Sequence, residues 1–165
     1  MSTKKTAAKP SATEVAKQVE GFIDKFDPAM AKRIREVRAA LRKRFPTAIE
    51  MVYDNYNALV IGFVPNERAS DAIFSIVLYP KYVTLFFFQG AGMPDPHGRL
   101  SGSGGVSRHV RLESAATLDD PDIVSLMNTA LHRAKVPLDP KQPRRLIIKS
   151  IAAKQRPRRP PEDLR

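Results

Sequence analysis

Apolar side chains recur at Val15, Val19, Phe22, Ile23 and Phe26, in steps that place them on one face of a helix. Thr13 stands where an N-cap belongs, just ahead of that run. Asp27-Pro28 then sets a cap and a proline at the first position of a second helix. Its apolar side runs through Met30, Ile34, Val37, Leu41 and Phe45 until Pro46 stops it. After Thr47 the spacing changes. Segments 49–53, 58–64, 73–79, 82–89 and 106–112 are rich in β-branched and aromatic residues and predict strands. The stretch YPKY, Tyr79 to Tyr82, is short enough for a hairpin turn, so 73–79 and 82–89 should pair antiparallel. Nearly every position in both is apolar, which marks central strands covered on two faces.

The stretch LDDPD at 118–122 repeats the cap-and-proline signal. Ile123, Leu126, Met127, Ala130 and Leu131 follow as an amphipathic third helix that ends near Val136-Pro137, and 146–151 predicts a sixth strand. Two helices, five strands, a helix and a strand do not make the alternation of a parallel α/β fold. The pattern predicts an α+β fold, one domain over residues 13–151. It has a mostly antiparallel sheet of five to six strands, with the two N-terminal helices and the C-terminal helix on one side. The second apolar face of such a sheet needs a loop, a ligand or a second copy of the chain, and a homodimer through the sheet is one expected partner. Residues 1–12 read as a disordered basic arm and 152–165 as a Pro-rich basic tail that does not pack.

At 165 residues the chain is long enough for one core. It has no cysteine, which excludes disulfides and thiolate metal sites and fits a reducing, cytoplasmic compartment. No apolar run approaches the roughly 18 residues of a membrane span, so no membrane partner is expected. Charge matters through its placement. Of the formal +11, residues 1–13 carry +3 and residues 141–165 carry +7, leaving the middle of the chain close to neutral. The basic character belongs to the ends.

Three blocks, VYDNYNALVIGF (52–63), NERASDAIFSIVLYPKYVTLFF (66–87) and GSGGVSRHVRL (102–112), resemble the YdhG-like family of domains of unknown function, in particular a bacterial subgroup. The resemblance spans about residues 19–159. It implies a two-layer α+β fold related in shape to frataxins and, by analogy with one described family member, iron chaperoning. An iron site of that kind needs a ridge of carboxylates. The first helix here mixes Glu14, Glu20 and Asp24 with Lys17 and Lys25, and the second is crowded with Lys32, Arg33, Arg35, Arg38, Arg42, Lys43 and Arg44. The chain also has Gly105 where the subgroup carries a lysine after Gly-Ser-Gly.

The run 94–112 holds four of the eight glycines and leads into a strand containing Arg108 and Arg111. In strand register Arg108 shares a face with Val106, Val110 and Leu112, so it needs a counter-charge. Either a carboxylate (Glu50, Asp54 or Asp71) or an anionic ligand held with the backbone of Gly102, Ser103, Gly104 and Gly105 would supply one. The Lys-Ser/Thr pair of a Walker loop is missing. Residues 53–57, YDNYN, read either as an Asx-type turn or as a polar pocket wall. In the pocket reading Tyr53, Asn55 and Asn57 stand over a floor formed by Phe86 to Phe88. His97, His109 and His132 lack metal-ligand spacing, and Asp119, Asp120 and Asp122 sit where a helix start wants negative charge, so no metal or cofactor is assigned. No serine or threonine has a nucleophile elbow, and nothing argues for catalysis. Arg144, Arg145, Lys149, Lys154, Arg156, Arg158 and Arg159 form a basic footprint suited to phosphates, with the second helix as an extension. No aromatic residue interleaves with the tail to stack bases. The sequence reading is a non-catalytic domain that binds a small anionic or polar ligand. A nucleic-acid accessory protein using the basic tail is the alternative, and a frataxin-like iron chaperone the weaker one.

Overall fold

The protein is described by a computed structural model covering residues 9–161. Its elements are α1 (Ala12–Ile23), α2 (Pro28–Arg44), β1 (Ile49–Asp54), β2 (Leu59–Val64), β3 (Phe74–Leu78), β4 (Val83–Phe87), β5 (Arg108–Arg111), α3 (Pro121–Arg133) and β6 (Leu146–Ile151). Short 3-10 turns lie at Ala69–Asp71, Gly90–Gly92 and Ala115–Asp119. The fold is α+β, as the periodicity predicts.

Local chemistry explains where the helices begin. Ser11, rather than Thr13, caps α1: its hydroxyl accepts from the Glu14 N–H while the Glu14 carboxylate accepts from the Ser11 N–H, a reciprocal capping box. Pro28 opens α2, where its missing N–H costs nothing, and Pro121 does the same for α3 behind an Asp120 cap. The expected basic arm is shortened accordingly, since residues 11 and 12 belong to the helix start; residues 1–8 lie outside the described part.

The six strands run in the order β5-β4-β3-β2-β1-β6. All neighbours are antiparallel except β6, which lies parallel to β1. The YPKY turn forms as predicted, with the Tyr79 N–H donating to the Tyr82 carbonyl at 2.9 Å. The strand predicted at 106–112 is shorter, because Val106 remains in the glycine-rich loop with 57% of its surface exposed.

The three helices cover one face. Val19, Ile23, Ile34, Val37 and Leu41 meet Ile61, Phe74, Ile76, Leu85 and Phe87 from the sheet and Ile123 and Met127 from α3 in one core. Phe45 stacks on Phe74 at 5.0 Å between ring centres, and Phe74 meets Phe87 edge to face at 5.7 Å. Each fully buried ring of this kind contributes about 1.5–3 kcal/mol. The other face is only partly covered. Ala72, in the segment after β2, packs with Ile49, Met51 and Val64, and the half-buried Tyr53, Phe88 and Ile147 lean on that patch.

The Pro-rich tail departs from expectation. Its described part, residues 152–161, packs against the domain: the Ala152 N–H donates to the Asp54 carbonyl, the Arg156 N–H to the Tyr56 carbonyl, and the Arg158 side chain is buried. The composition of the tail predicts solvation, but one arginine finds an inward-facing carboxylate. Residues 162–165 lie outside the described part. Among the described residues, no helix is long and apolar enough to cross a membrane.

Candidate functional site

Arg108 shares the core-side face of β5 with Val110, as alternation requires, yet none of the three carboxylates considered for it stands beside it. Glu50 faces Arg38 and Arg42, Asp54 faces Lys25 and Arg158, and Asp71 takes Asn66 and Arg68. The Arg108 guanidinium instead donates through Nη1 to the carbonyls of Gly104 and Ser107. The loop therefore turns carbonyls, not a nest of N–H groups, toward it. That geometry closes the loop on its own strand. Gly102 at φ +124° permits the turn, and Gly90 lies so near that an added Cβ would come 2.7 Å from the Arg108 Cβ. On the opposite face of the sheet His109 stacks on Phe86 at 5.1 Å, and Arg111 lies 3.8 Å from the Tyr82 ring centre.

The second predicted cluster divides. The Asn55 N–H donates to the Ala58 carbonyl, closing the β1–β2 hairpin as a turn. Tyr53 and Asn55 also line a shallow cavity of about 280 Å³ on the second face, with Phe88 opposite and Gly62 and Ser75 among its small residues. Of the expected floor, Phe86 to Phe88, only Phe88 lines this cavity, since Phe86 stacks on His109 and Phe87 is buried in the helix-side core, and Asn57 faces a different groove beside Tyr79 and Arg156. Arg108 and Tyr53 do not share a site, because β4, β3 and β2 lie between their strands.

The cations of α2 are mostly engaged. Arg38 is buried, with Nε 2.7 Å from Glu50, itself only 1% exposed. Arg42 Nε stands 2.7 Å from the other Glu50 oxygen, a charge contact out of line for a hydrogen bond. Arg35 bridges Glu20 at 2.8 Å and Asp24 at 2.5 Å, and Arg44 reaches Asp119 at 3.4 Å. Two of the carboxylates an iron ridge on α1 would use are therefore paired with an arginine of α2. The second helix is expected to extend the basic footprint; Arg38 does not, because β1 turns Glu50 inward toward it and buries it.

The C-terminal cations serve different tasks. Arg144 donates to the carbonyls of Arg42 and Pro46 and so caps the end of α2, Arg145 pairs with Glu67 at 3.6 Å, and Lys149 and Lys154 are exposed. Arg158 is not available to phosphate. Its Nη2 donates to Asp54 Oδ1 at 2.9 Å and to the Asn55 carbonyl, while its Nε and Nη1 have no partner among the described residues. Asp54 is fully buried and also accepts from Lys25 at 2.7 Å. Burial alone raises the Asp54 pKa, but hydrogen bonds from Lys25, Arg158 and Gln155 outweigh it and hold the carboxyl below its ordinary value. At the start of α3, Arg99 binds Asp120 and Asp122 at 2.9 and 3.0 Å, and His97 lies 2.7 Å from Asp122. Among the described residues no group of three His, Cys, Asp or Glu side chains is gathered to hold a metal ion.

Sequence reasoning missed a cavity of about 350 Å³ between the turn at Ala69–Asp71, the turn at Gly90–Gly92 and the end of α3. Arg68, Arg133 and Lys135 line it with Asp71 as the one acid, and Ile73, Met93 and Ala130 give it an apolar side. Arg133 is steadied by donating to the Gly92 carbonyl at 2.6 Å. Asp71 lies 3.8 Å from Arg68 and accepts from Asn66 at 3.0 Å, so a surplus of positive charge faces the cavity. The basic residues at the end of α3 are visible in the sequence, but nothing there brings Arg68 to them.

No family model, curated protein or solved structure matches the chain.

Proposed function

We propose that the protein is a non-catalytic binding domain for a small anionic ligand, held between the end of α3 and the turns at Ala69–Asp71 and Gly90–Gly92. One observation carries this reading: three cations, one acid and an apolar wall enclose about 350 Å³, the size of a small-molecule site. Arg133 and Arg68 supply planar donors suited to carboxylate or phosphate, Lys135 adds a mobile charge, and Ile73 and Met93 select for an apolar body. The lining has no histidine, and its polar groups, the three cations with Ser70 and Gln89, are read as groups that bind. The resemblance to YdhG-like domains of unknown function accords with this reading and names no ligand. The class of ligand is the one the sequence suggests, but the residues differ, because the glycine run and Arg108 satisfy each other.

A thermal-shift screen against phosphorylated and carboxylated metabolites, followed by calorimetry at two salt concentrations, tests it. The expected result is a shift of a few degrees with one ligand, lost in Arg133→Ala and kept in Arg108→Ala, since only ligands that favour the folded state raise its melting point. A ligand whose affinity is untouched by Arg133→Ala and Lys135→Ala, or a screen with no shift, would overturn the assignment.

A further inference from the structure

We propose that the groove between the β3–β4 turn and residues 156–161 binds single-stranded nucleic acid, stacking bases on its tyrosines and holding phosphates on its basic residues. The groove encloses about 880 Å³, with Tyr79 and Tyr82 on one wall and Arg156 and Arg159 on the other. It meets a second hollow of about 450 Å³ that shares Tyr79 and Arg156 and adds Asn57. This surface is separate from the cavity at the end of α3.

The second wall is built, not floppy. The Arg156 N–H donates to the Tyr56 carbonyl at 2.8 Å, and Arg159 Nε donates to the Lys25 carbonyl at 3.2 Å. Between them Arg158 turns inward onto Asp54, which leaves the residues on either side of it, Pro157 and Arg159, facing the groove. Prolines limit the backbone entropy still to be lost on binding.

Two features select the occupant. The first is charge: among the described residues the lining carries Lys81, Arg156 and Arg159 and no carboxylate, which suits a run of phosphates. The second is aromatic surface. Tyr82, on the groove wall, is 42% exposed and has the Arg111 guanidinium 3.8 Å from its ring centre, while Tyr56, 44% exposed, stands outside the lining beside Arg156, 5.6 Å from its ring centre. Flat cations beside open rings form the platform on which unpaired bases stack. A duplex hides its base faces and would use only the charges. A proline-rich peptide also favours aromatic grooves, but it has no use for three cations that no carboxylate among the described residues pairs with. The aromatic residues that the tail lacks in sequence are thus supplied by the hairpins against which it packs.

Fluorescence anisotropy with a labelled twelve-nucleotide oligo(dT) tests the proposal on the full chain, with a duplex of equal length and an oligoproline peptide as competing probes. Oligo(dT) should bind more tightly than the duplex, with a log–log salt slope of about −2 for three phosphate contacts. Tyr82→Ala should weaken oligo(dT) binding roughly tenfold, the scale of one lost base stack, and leave duplex binding unchanged. Replacing Arg156 and Arg159 together by alanine should flatten the salt slope by about 1.4. Tyr82 and both arginines are exposed, so an unchanged thermal melt confirms that the variants remain folded. Arg133→Ala should leave oligo(dT) binding intact, so that the two sites succeed or fail separately. No binding at low salt, equal affinity for the duplex, indifference to Tyr82→Ala, or capture of the oligoproline in place of oligo(dT) would each overturn the proposal.

Discussion

The Arg158 guanidinium reaches Asp54 across 104 residues of sequence, with Nη2 2.9 Å from Oδ1 and both side chains almost wholly removed from solvent. Asp54 ends a strand and Arg158 lies in a stretch of prolines and arginines, so this pair joins the most regular part of the chain to the least regular. Lys25, in the turn between α1 and α2, shares the carboxylate and ties in the helical layer.

Removing the acid should therefore be costly. Asp54→Asn strands the buried Arg158 and is expected to lower stability by about 3–5 kcal/mol, measured by urea unfolding. Arg158→Ala should cost less, about 1–3 kcal/mol, because Lys25 still pairs with Asp54. Arg158→Ala should also release the tail wall, read as faster tryptic cleavage after Lys154 with the domain still folded, since prolines follow Arg156 and Arg159 and block cleavage there. Unchanged cleavage would show that the tail is held by its other contacts.

Glu50 is the second buried acid, set between Arg38 and Arg42. Glu50→Gln is expected to destabilise by about 1–3 kcal/mol, since the buried Arg38 is left with only the half-exposed Glu20, 3.5 Å from its Nη1, as a full counter-charge. Glu50→Leu combined with Arg38→Met should recover much of that loss, because a packed apolar pair replaces a desolvated ionic one. A double variant as unstable as Glu50→Gln would mean that Arg42, more exposed, still depends on the carboxylate.

Acid should weaken the fold through Asp54. Its folded pKa lies below the unfolded value, near 3.8, so the stabilisation is complete above that pH and is lost as pH falls through the lower folded value. Asp120 behaves alike, held down by the Arg99 hydrogen bond and then by the Asp122 N–H. Unfolding free energy should thus decline below roughly pH 4, and Asp54→Asn should remove part of that slope while Asp120 keeps the rest. Identical slopes in the two proteins would place the acid sensitivity elsewhere.

Gly90→Ala tests the seat of β5. Its added methyl would meet the Arg108 Cβ at 2.7 Å and the Arg108 backbone nitrogen at 2.9 Å. A cost of about 1–3 kcal/mol is expected, with faster amide exchange concentrated at residues 108–111. Uniform exchange across the sheet would argue against a local clash.

What the sequence made legible was local. The YPKY turn, the proline-started helices and the apolar helix faces each depend on neighbours a few residues apart, and each formed near its predicted place. The pairing of β6 with β1 was out of reach, since Leu146 and Glu50 meet through tertiary packing that no short-range pattern encodes. The need for a counter-charge at Arg108 was argued from strand alternation, which holds, but backbone carbonyls answer it. Asp54, one of the acids named for that task, does pair with an arginine; it takes Arg158, whose context of prolines reads as solvated. The cavity at the end of α3 was illegible for a similar reason, because Arg68 and Arg133 are 65 positions apart and only the folded domain brings them together.

The parallel edge strand also sets an order of events during translation. A ribosome releases residues 49–54 long before residues 146–151 exist, so a nascent chain can assemble the antiparallel meander while one flank of β1 still lacks its neighbour. Until then the inward carboxylate of Asp54 lacks its arginine, and an open strand edge is a template for the wrong partner. Nascent chains stalled before residue 146 should consequently associate with one another or with chaperones, and release of β6 with the segment that carries Arg158 should end that vulnerability.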